Sequence, residues 1–316
     1  MKIRSIRSII TAAVIPCAVS AALTATVSAT ITLDMIAIGN AGNAADTTTY
    51  GSVSYAYNIG KTEVTTAEYV AFLNATASTV DTYTLYNPLM TNMGGTGVGI
   101  SQAGGGIANF TYSVTGGGEN RPVAFVSWFD AARFSNWMTT GQGTTTETGS
   151  YTILGGVVSG STVARNVVVG GYYIPTENEW YKAAYYNPGT TAYSLFPNGT
   201  DAITIADANY GGSLGVNTTT DVGTYSGDPS SYGTFDQGGN VREVMNFDAD
   251  AAGGVILRGG SYVSGSSSLL SSASRVLSPT DLETISTGFR VSVVPEPSSA
   301  LLAMLGGSLL LLRRKR

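Results

Sequence analysis

The sequence contains no histidine and only one cysteine, Cys17. Without imidazole it lacks the commonest general base and the commonest transition-metal ligand. Ser-His-Asp and Cys-His nucleophile systems are excluded, as are His-ligated iron, copper and zinc sites. Charge is scarce as well. Of 316 residues 12% are charged, about half the usual share of a soluble domain. The polar surface must come from Thr, Ser, Asn, Gly and Tyr instead. Glycine is plentiful, with 40 residues, which implies many turns and disfavours a helical bundle. The length suffices to bury a core without disulfide staples.

Both ends read as targeting segments. Residues 1–29 carry Lys2, Arg4 and Arg7, an apolar run from Ile9 to Val27, and the small residues Ser28 and Ala29. That order is expected of a cleaved secretory signal peptide, with an uncleaved membrane anchor as the alternative. Removal of this segment takes Cys17 with it and leaves neither thiol nor disulfide. In the segment 294–316, Pro295-Glu296-Pro297 precedes the apolar residues Ala300 to Leu312 and the cluster Arg313-Arg314-Lys315-Arg316. The apolar stretch is short for a permanent span of about 20 residues, and the basic cluster would hold it on the cytoplasmic side. This arrangement resembles the PEP-CTERM sorting signal of Gram-negative bacteria. The resemblance implies recognition by an exosortase-type partner, transient anchoring in the inner membrane, cleavage near Pro-Glu-Pro and delivery to the cell surface. A plain tail anchor is the other reading.

Loss of both ends shifts the charge. Three basic residues leave with 1–29 and four with 298–316, so nine of the 16 remain against all 21 acidic residues, a net charge of −12. Nucleic acid is therefore not an expected partner, whereas divalent cations are attracted.

Residues 30–54 read as a strand-poor lead-in. Three helix starts follow. Thr65-Thr66-Ala67-Glu68 forms a capping box with Val64 and Tyr69 as its staple, and Tyr69, Phe72 and Leu73 then make one apolar stripe. Ser127-Trp128-Phe129-Asp130 starts a second helix that carries Ala131, Phe134 and Met138 on one face. Thr176-Glu177-Asn178-Glu179 starts a third, with Asn187-Pro188-Gly189 as its stop. Residues 92–118 are glycine-rich with two strand-like pieces, the pattern of a hairpin. Helices followed by scattered strands predict an α+β domain. Trp128, Trp137 and Trp180 are expected in the core. Arg258, Arg275 and Arg290 are expected in buried pairs with carboxylates such as Asp130 or Glu179.

Six motifs occur in order: Ile59-Gly60-Lys61-Thr62-Glu63-Val64-Thr65, Arg121-Pro122-Val123 with Val126 to Ala131, Ile174 to Trp180, Gly238-Gly239-Asn240-Val241-Arg242-Glu243, Arg258-Gly259-Gly260-Ser261-Tyr262 and Gly288-Phe289-Arg290. In this order and spacing the chain, from 55 to 293, resembles the formylglycine-generating enzyme family, also called sulfatase-modifying factor domains. The resemblance implies an α+β fold of the formylglycine-generating-enzyme type, a C-type-lectin-like variant with few regular elements and bound calcium. It also places the family's two catalytic, copper-binding cysteines at Ser264 and Leu269. Serine is a poor ligand for Cu(I) and leucine is none. The iron-dependent branch of the family needs histidines, which this chain lacks. Neither copper nor iron is expected, although Ser261 of the motif is retained. Arg242 stands where a groove-forming tryptophan is common.

For calcium, the resemblance implies one site from Asp236, the carbonyls of Gly239 and Val241, and Glu243. It implies a second from Asn209 and the carbonyl of Tyr210, completed near Asn217 to Asp221. Hard oxygen donors crowded into a glycine-rich loop suit Ca²⁺; a solvated acidic turn is the alternative. The expected function is a secreted, surface-sorted, non-catalytic binding or matrix protein. Its 18 tyrosines, together with many amides and hydroxyls, suit extracellular polysaccharide. Two alternatives stand beside it: a sulfatase-modifying or other enzyme of this fold, and a purely structural matrix component.

Overall fold

The structure, a computed structural model, describes residues 30–93, 97–106, 108–155, 163–212, 218–247 and 253–293. The expected signal peptide (1–29) and sorting segment (294–316) lie outside the described residues. Among the described residues no helix is long and apolar enough to cross a membrane.

The described strands are short: β1 (Met35–Ile38), β2 (Tyr57–Gly60), β3 (Gly99–Gly105), β4 (Ala108–Thr115), β5 (Tyr172–Tyr173), β6 (Tyr186–Asn187), β7 (Ala192–Tyr193), β8 (Arg242–Val244), β9 (Val255–Arg258), β10 (Val276–Ser278), β11 (Thr287–Gly288) and β12 (Ser292–Val293). They form one four-stranded antiparallel sheet in the order β1-β2-β12-β5 and a second in the order β10-β9-β8-β11, where only β11 runs parallel to its neighbour. Two hairpins, β3-β4 and β6-β7, complete the set. The fold is α+β with long loops.

Residues 30–54 hold one short strand, β1. Met35 to Ile38 pair along β2 and form the edge of the first sheet. Four residues are too few for a period to stand out from the Thr- and Ala-rich surroundings, and tertiary pairing rather than local propensity makes the strand. The domain therefore starts about twenty residues earlier than the motifs suggest.

Three helices arise at the predicted caps: α1 (Thr66–Thr76), α2 (Trp128–Thr139) and α3 (Glu177–Tyr185). Thr65 with Glu68, Ser127 with Asp130, and Thr176 with Glu179 each close both halves of a capping box. Each box satisfies first-turn amides that have no partner inside the helix, and a cap is worth about 1 kcal/mol. α3 stops at Tyr185, short of Asn187-Pro188-Gly189, because Tyr186 turns extended and pairs with Tyr193.

The largest core packs α1 against α2. Tyr69, Phe72, Phe134, Trp137 and Phe289 meet ring to ring at centroid distances of 5.3–6.3 Å. Such contacts add about 0.5–1.5 kcal/mol per pair beyond the area they bury. Trp128, Trp137 and Trp180 are all buried, as expected. This core holds up one side of the second sheet, and the loops between its strands carry the polar machinery.

Candidate functional site

The loop from Asp236 to Glu243 turns tightly because Asp236, Gly239 and Asn240 all take the left-handed backbone region. At Gly239 a Cβ would fall 2.3 Å from the Asn209 carbonyl oxygen, so only glycine fits there. The turn delivers Glu243 on β8 to Arg290, which follows β11. Arg290 Nε and Nη2 donate to Glu243 Oε2 and Oε1 at 2.5 and 2.7 Å, and Trp180 Nε1 donates to Oε2 at 2.8 Å. The rest of the guanidinium reaches the carbonyls of Gly60 and Phe235, at 2.9 and 2.8 Å. Trp180 is thus a structural clasp as well as core.

Two more carboxylates share this charge. Burial lifts Asp236 to about 6 against the opposing pull of the Gly223 amide, which donates to it at 2.6 Å, and of Arg290. Glu63 is 1% exposed and neither of its carboxylate oxygens has a hydrogen-bond partner. Burial, reinforced by Asp236 and Glu243, pushes its carboxyl well above the ordinary range.

In the expected calcium loop the carboxylate of Glu243 is already paired. Asp236, Gly239, Val241 and Glu243 do share one turn, but both Glu243 oxygens are held by a guanidinium. A second cation would meet that charge at close range. Arg290 compensates Glu243, whereas Asp236 and Glu63 keep raised carboxyls. Among the described residues, no three His, Cys, Asp or Glu side chains are grouped so as to hold a metal ion.

The second expected site differs. Asn209 Nδ2 donates to the Thr218 carbonyl at 3.0 Å, and the Asn240 amide donates to the Asn209 carbonyl at 2.9 Å. Asn209 Oδ1 and Thr218 Oγ1 are both buried without a partner. Buried acceptors normally find a donor or an ion, and two hard oxygens left open at one spot suit Ca²⁺. Tyr210 adjoins them, while Asn217 lies outside the described residues.

The expected arginine pairs form with other partners. Arg258 meets Glu177 at 2.5 Å and Arg275 meets it at 3.0 Å, while Arg290 takes Glu243. Asp130 and Glu179 are unavailable because each occupies the third position of its helix and is drawn into the capping box. Glu179 also accepts from the hydroxyls of Tyr55 and Tyr173 at 2.9 and 2.7 Å. Beyond the guanidinium of Arg258, the carbonyls of Ser272 and Ser274 accept from Nη1 at 2.8 and 2.7 Å, which ties down the segment that follows Arg258-Gly259-Gly260.

In that segment Ser264 Oγ accepts the Ser261 amide at 2.9 Å, and Ser264 N donates back to the Ser261 carbonyl at 2.8 Å. A Cβ on Gly260 would lie 3.2 Å from Ser264 Oγ and 3.0 Å from the Leu269 carbonyl oxygen. The Ser264 side chain and the Leu269 backbone thus both approach Gly260. The hydroxyl there staples a turn, and Leu269 is an exposed hydrocarbon. Ser261 Oγ is buried without a partner.

A family model of the sulfatase-modifying factor enzyme 1-like domain matches residues 33–294. The chain belongs to the sulfatase-modifying factor family. Among solved structures, the variable protein 1 of Treponema denticola is similar at 21% identity, covering 83% of this chain and 95% of that one with a TM-score of 0.55. CarF is similar at 21% identity, covering 84% and 99% with a TM-score of 0.55. At that identity the likeness establishes a shared fold. No curated protein matches the sequence.

Within this sulfatase-modifying factor fold, two features escape sequence reasoning. Glu63 stands in a recognised motif, yet nothing local signals that its carboxylate is buried unpaired. Glu177 sits at a helix start, where an acid suits the dipole, and its double arginine clamp is invisible until β9 and β10 are placed.

Proposed function

We propose that this sulfatase-modifying factor domain is a non-catalytic binding protein, exported and displayed at a bacterial surface with extracellular polysaccharide as its ligand. The observation that carries this reading is the chemistry of positions 264 and 269, where Ser264 Oγ accepts the Ser261 amide and Leu269 is exposed. The two places where the family resemblance expects thiols hold a hydroxyl engaged in a turn and a hydrocarbon. Neither is a soft donor for Cu(I), and with no histidine in the chain the ordinary proton acceptor is missing as well. A surface rich in Tyr, Asn, Ser and Thr favours contact with polyhydroxyl ligands, and a mature charge of −12 favours neutral over anionic ones. The ends of the chain, with their signal-like and Pro-Glu-Pro segments, support export and sorting.

The test is aerobic incubation of the purified protein with a cysteine-containing sulfatase peptide, with and without copper. No formylglycine is expected by mass spectrometry. Its appearance would return the protein to the enzymes.

A further inference from the structure

Outside the loops already described, a cleft of about 290 Å³ opens between the segment 52–55, the start of α3 and the residues after β8. Its size is at the lower end of ligand sites, about 300 Å³. Tyr55, Asn178, Asn246 and Phe247 line it. We propose that this cleft binds a single neutral hexose unit of a polysaccharide, a subsite that rests on the binding reading above and gives it a place.

Charge is the first argument. Glu177 is the one ionisable acid or base lining the cleft, and it is fully buried with its carboxylate clamped by Arg258 and Arg275. The nearest other charges, Glu179 and Arg165, both engage the Tyr55 hydroxyl, so the lining offers no unpaired charge and favours a neutral ligand.

The two carboxamides supply directed donors. Asn178 Oδ1 accepts the Gly51 amide at 2.8 Å. A backbone amide only donates, so the oxygen of Asn178 must face Gly51. Ile174 N donates to the Tyr151 hydroxyl at 3.0 Å, and that hydroxyl donates to Asn246 Oδ1 at 3.2 Å. Asn246 Oδ1 thus faces the Tyr151 hydroxyl, and its Nδ2 is turned away from it. With both oxygens committed to the protein, Nδ2 of Asn178 and of Asn246 has no partner among the described residues. Two –NH₂ groups lining one cleft are matched by sugar hydroxyl oxygens, which accept and also donate.

Rings supply the other half of sugar recognition. Tyr55 is 36% exposed, and Glu179 holds its hydroxyl. The ring of Phe247 stands on Trp128 at a centroid distance of 4.1 Å. Aromatic faces held this way lose little freedom when a C–H face of a pyranose stacks on them.

The experiment uses the intact chain and three probes, glucan, galactan and mannan oligosaccharides, with binding measured by calorimetry. Asn178→Asp and Asn246→Asp keep the accepting oxygen and remove the donor. An aspartate in the first turn of α3 also suits the helix dipole. At least one probe is expected to bind, with affinity falling tenfold or more in each variant and melting temperature moving by less than about 2 °C in the half-buried Asn178→Asp, while the buried Asn246→Asp also loses stability. Phe247→Leu, which keeps bulk but loses the flat face, should weaken the same probe. A protein that binds a probe equally well in all three variants overturns the cleft and leaves the binding reading standing. A folded protein that binds none of the three overturns both.

Discussion

The loop 236–243 and the corner of Asn209 and Thr218 are neighbours, joined through Asn240, yet they solve opposite problems. The loop gathers negative charge, and a side chain of the same molecule, Arg290, pairs with one carboxylate of it, Glu243, at 2.5 and 2.7 Å, while burial raises Asp236 and Glu63 towards their neutral forms. The corner gathers neutral oxygens and leaves Asn209 Oδ1 and Thr218 Oγ1 open. Excess carboxylate is therefore poor evidence for a bound cation where an arginine is within reach. Buried neutral acceptors without donors are better evidence, because a buried carboxylate such as Glu63 can escape its desolvation by keeping a proton, whereas an amide or hydroxyl oxygen cannot.

The contrast breaks most sharply at Arg290. Arg290→Met leaves Glu243 and Glu63 buried with no cation, and removing one partner of a buried pair costs about 3–5 kcal/mol. At about 2–4 °C per kcal/mol for a chain of this size, thermal melting should drop by roughly 10 °C or more. A drop of only a degree or two would mean that Arg290 is not what neutralises Glu243.

A smaller effect separates the two places directly. A cation at the corner that binds only the folded state adds about 2.7 kcal/mol at a hundredfold excess over Kd. Added calcium should raise the melting temperature and a chelator should lower it. Asn209→Ala should abolish that response, whereas Glu243→Gln should lower the melting temperature equally with and without calcium. A calcium response that vanishes in Glu243→Gln and survives in Asn209→Ala would reverse the assignment.

The smallest effect concerns Asp130, a buried carboxylate outside both places. Burial raises it from 3.8 to about 7, helped by repulsion from Glu283. The folded state thus holds the proton more tightly than the unfolded chain. Its stabilisation is complete below about 3.8 and is lost as pH rises towards 7. Between about pH 5.5 and 6.5 the loss approaches 1.4 kcal/mol, the limit for one group per pH unit. Asp130→Asn should flatten that slope in pH-dependent melting, since its amide oxygen still accepts at the cap. An unchanged slope would place the titration elsewhere.

Legibility follows distance along the chain. The three helix starts are readable because Thr65, Ser127 and Thr176 meet their acids three residues later. Family motifs then place the fold and the positions 264 and 269. Partner choice among buried charges is not readable. The caps claim Asp130 and Glu179, and only the assembled sheet brings Arg290 to Glu243 across 47 residues. β1 escapes for the same reason, since its strand character comes from its pairing with β2.

The first sheet carries one more consequence, for the order of events in folding. β12 lies between β2 and β5, so residues at opposite ends of the domain, Ser292 and Ile59, are direct neighbours. Such distant pairing makes folding slow and late, because the loop entropy is spent before the contacts form. A chain emerging from the ribosome can cap its helices early, but β2 and β5 remain unjoined until the final strand arrives. Closure of the first sheet thus depends on Ser292 and Val293, far along the chain from β2.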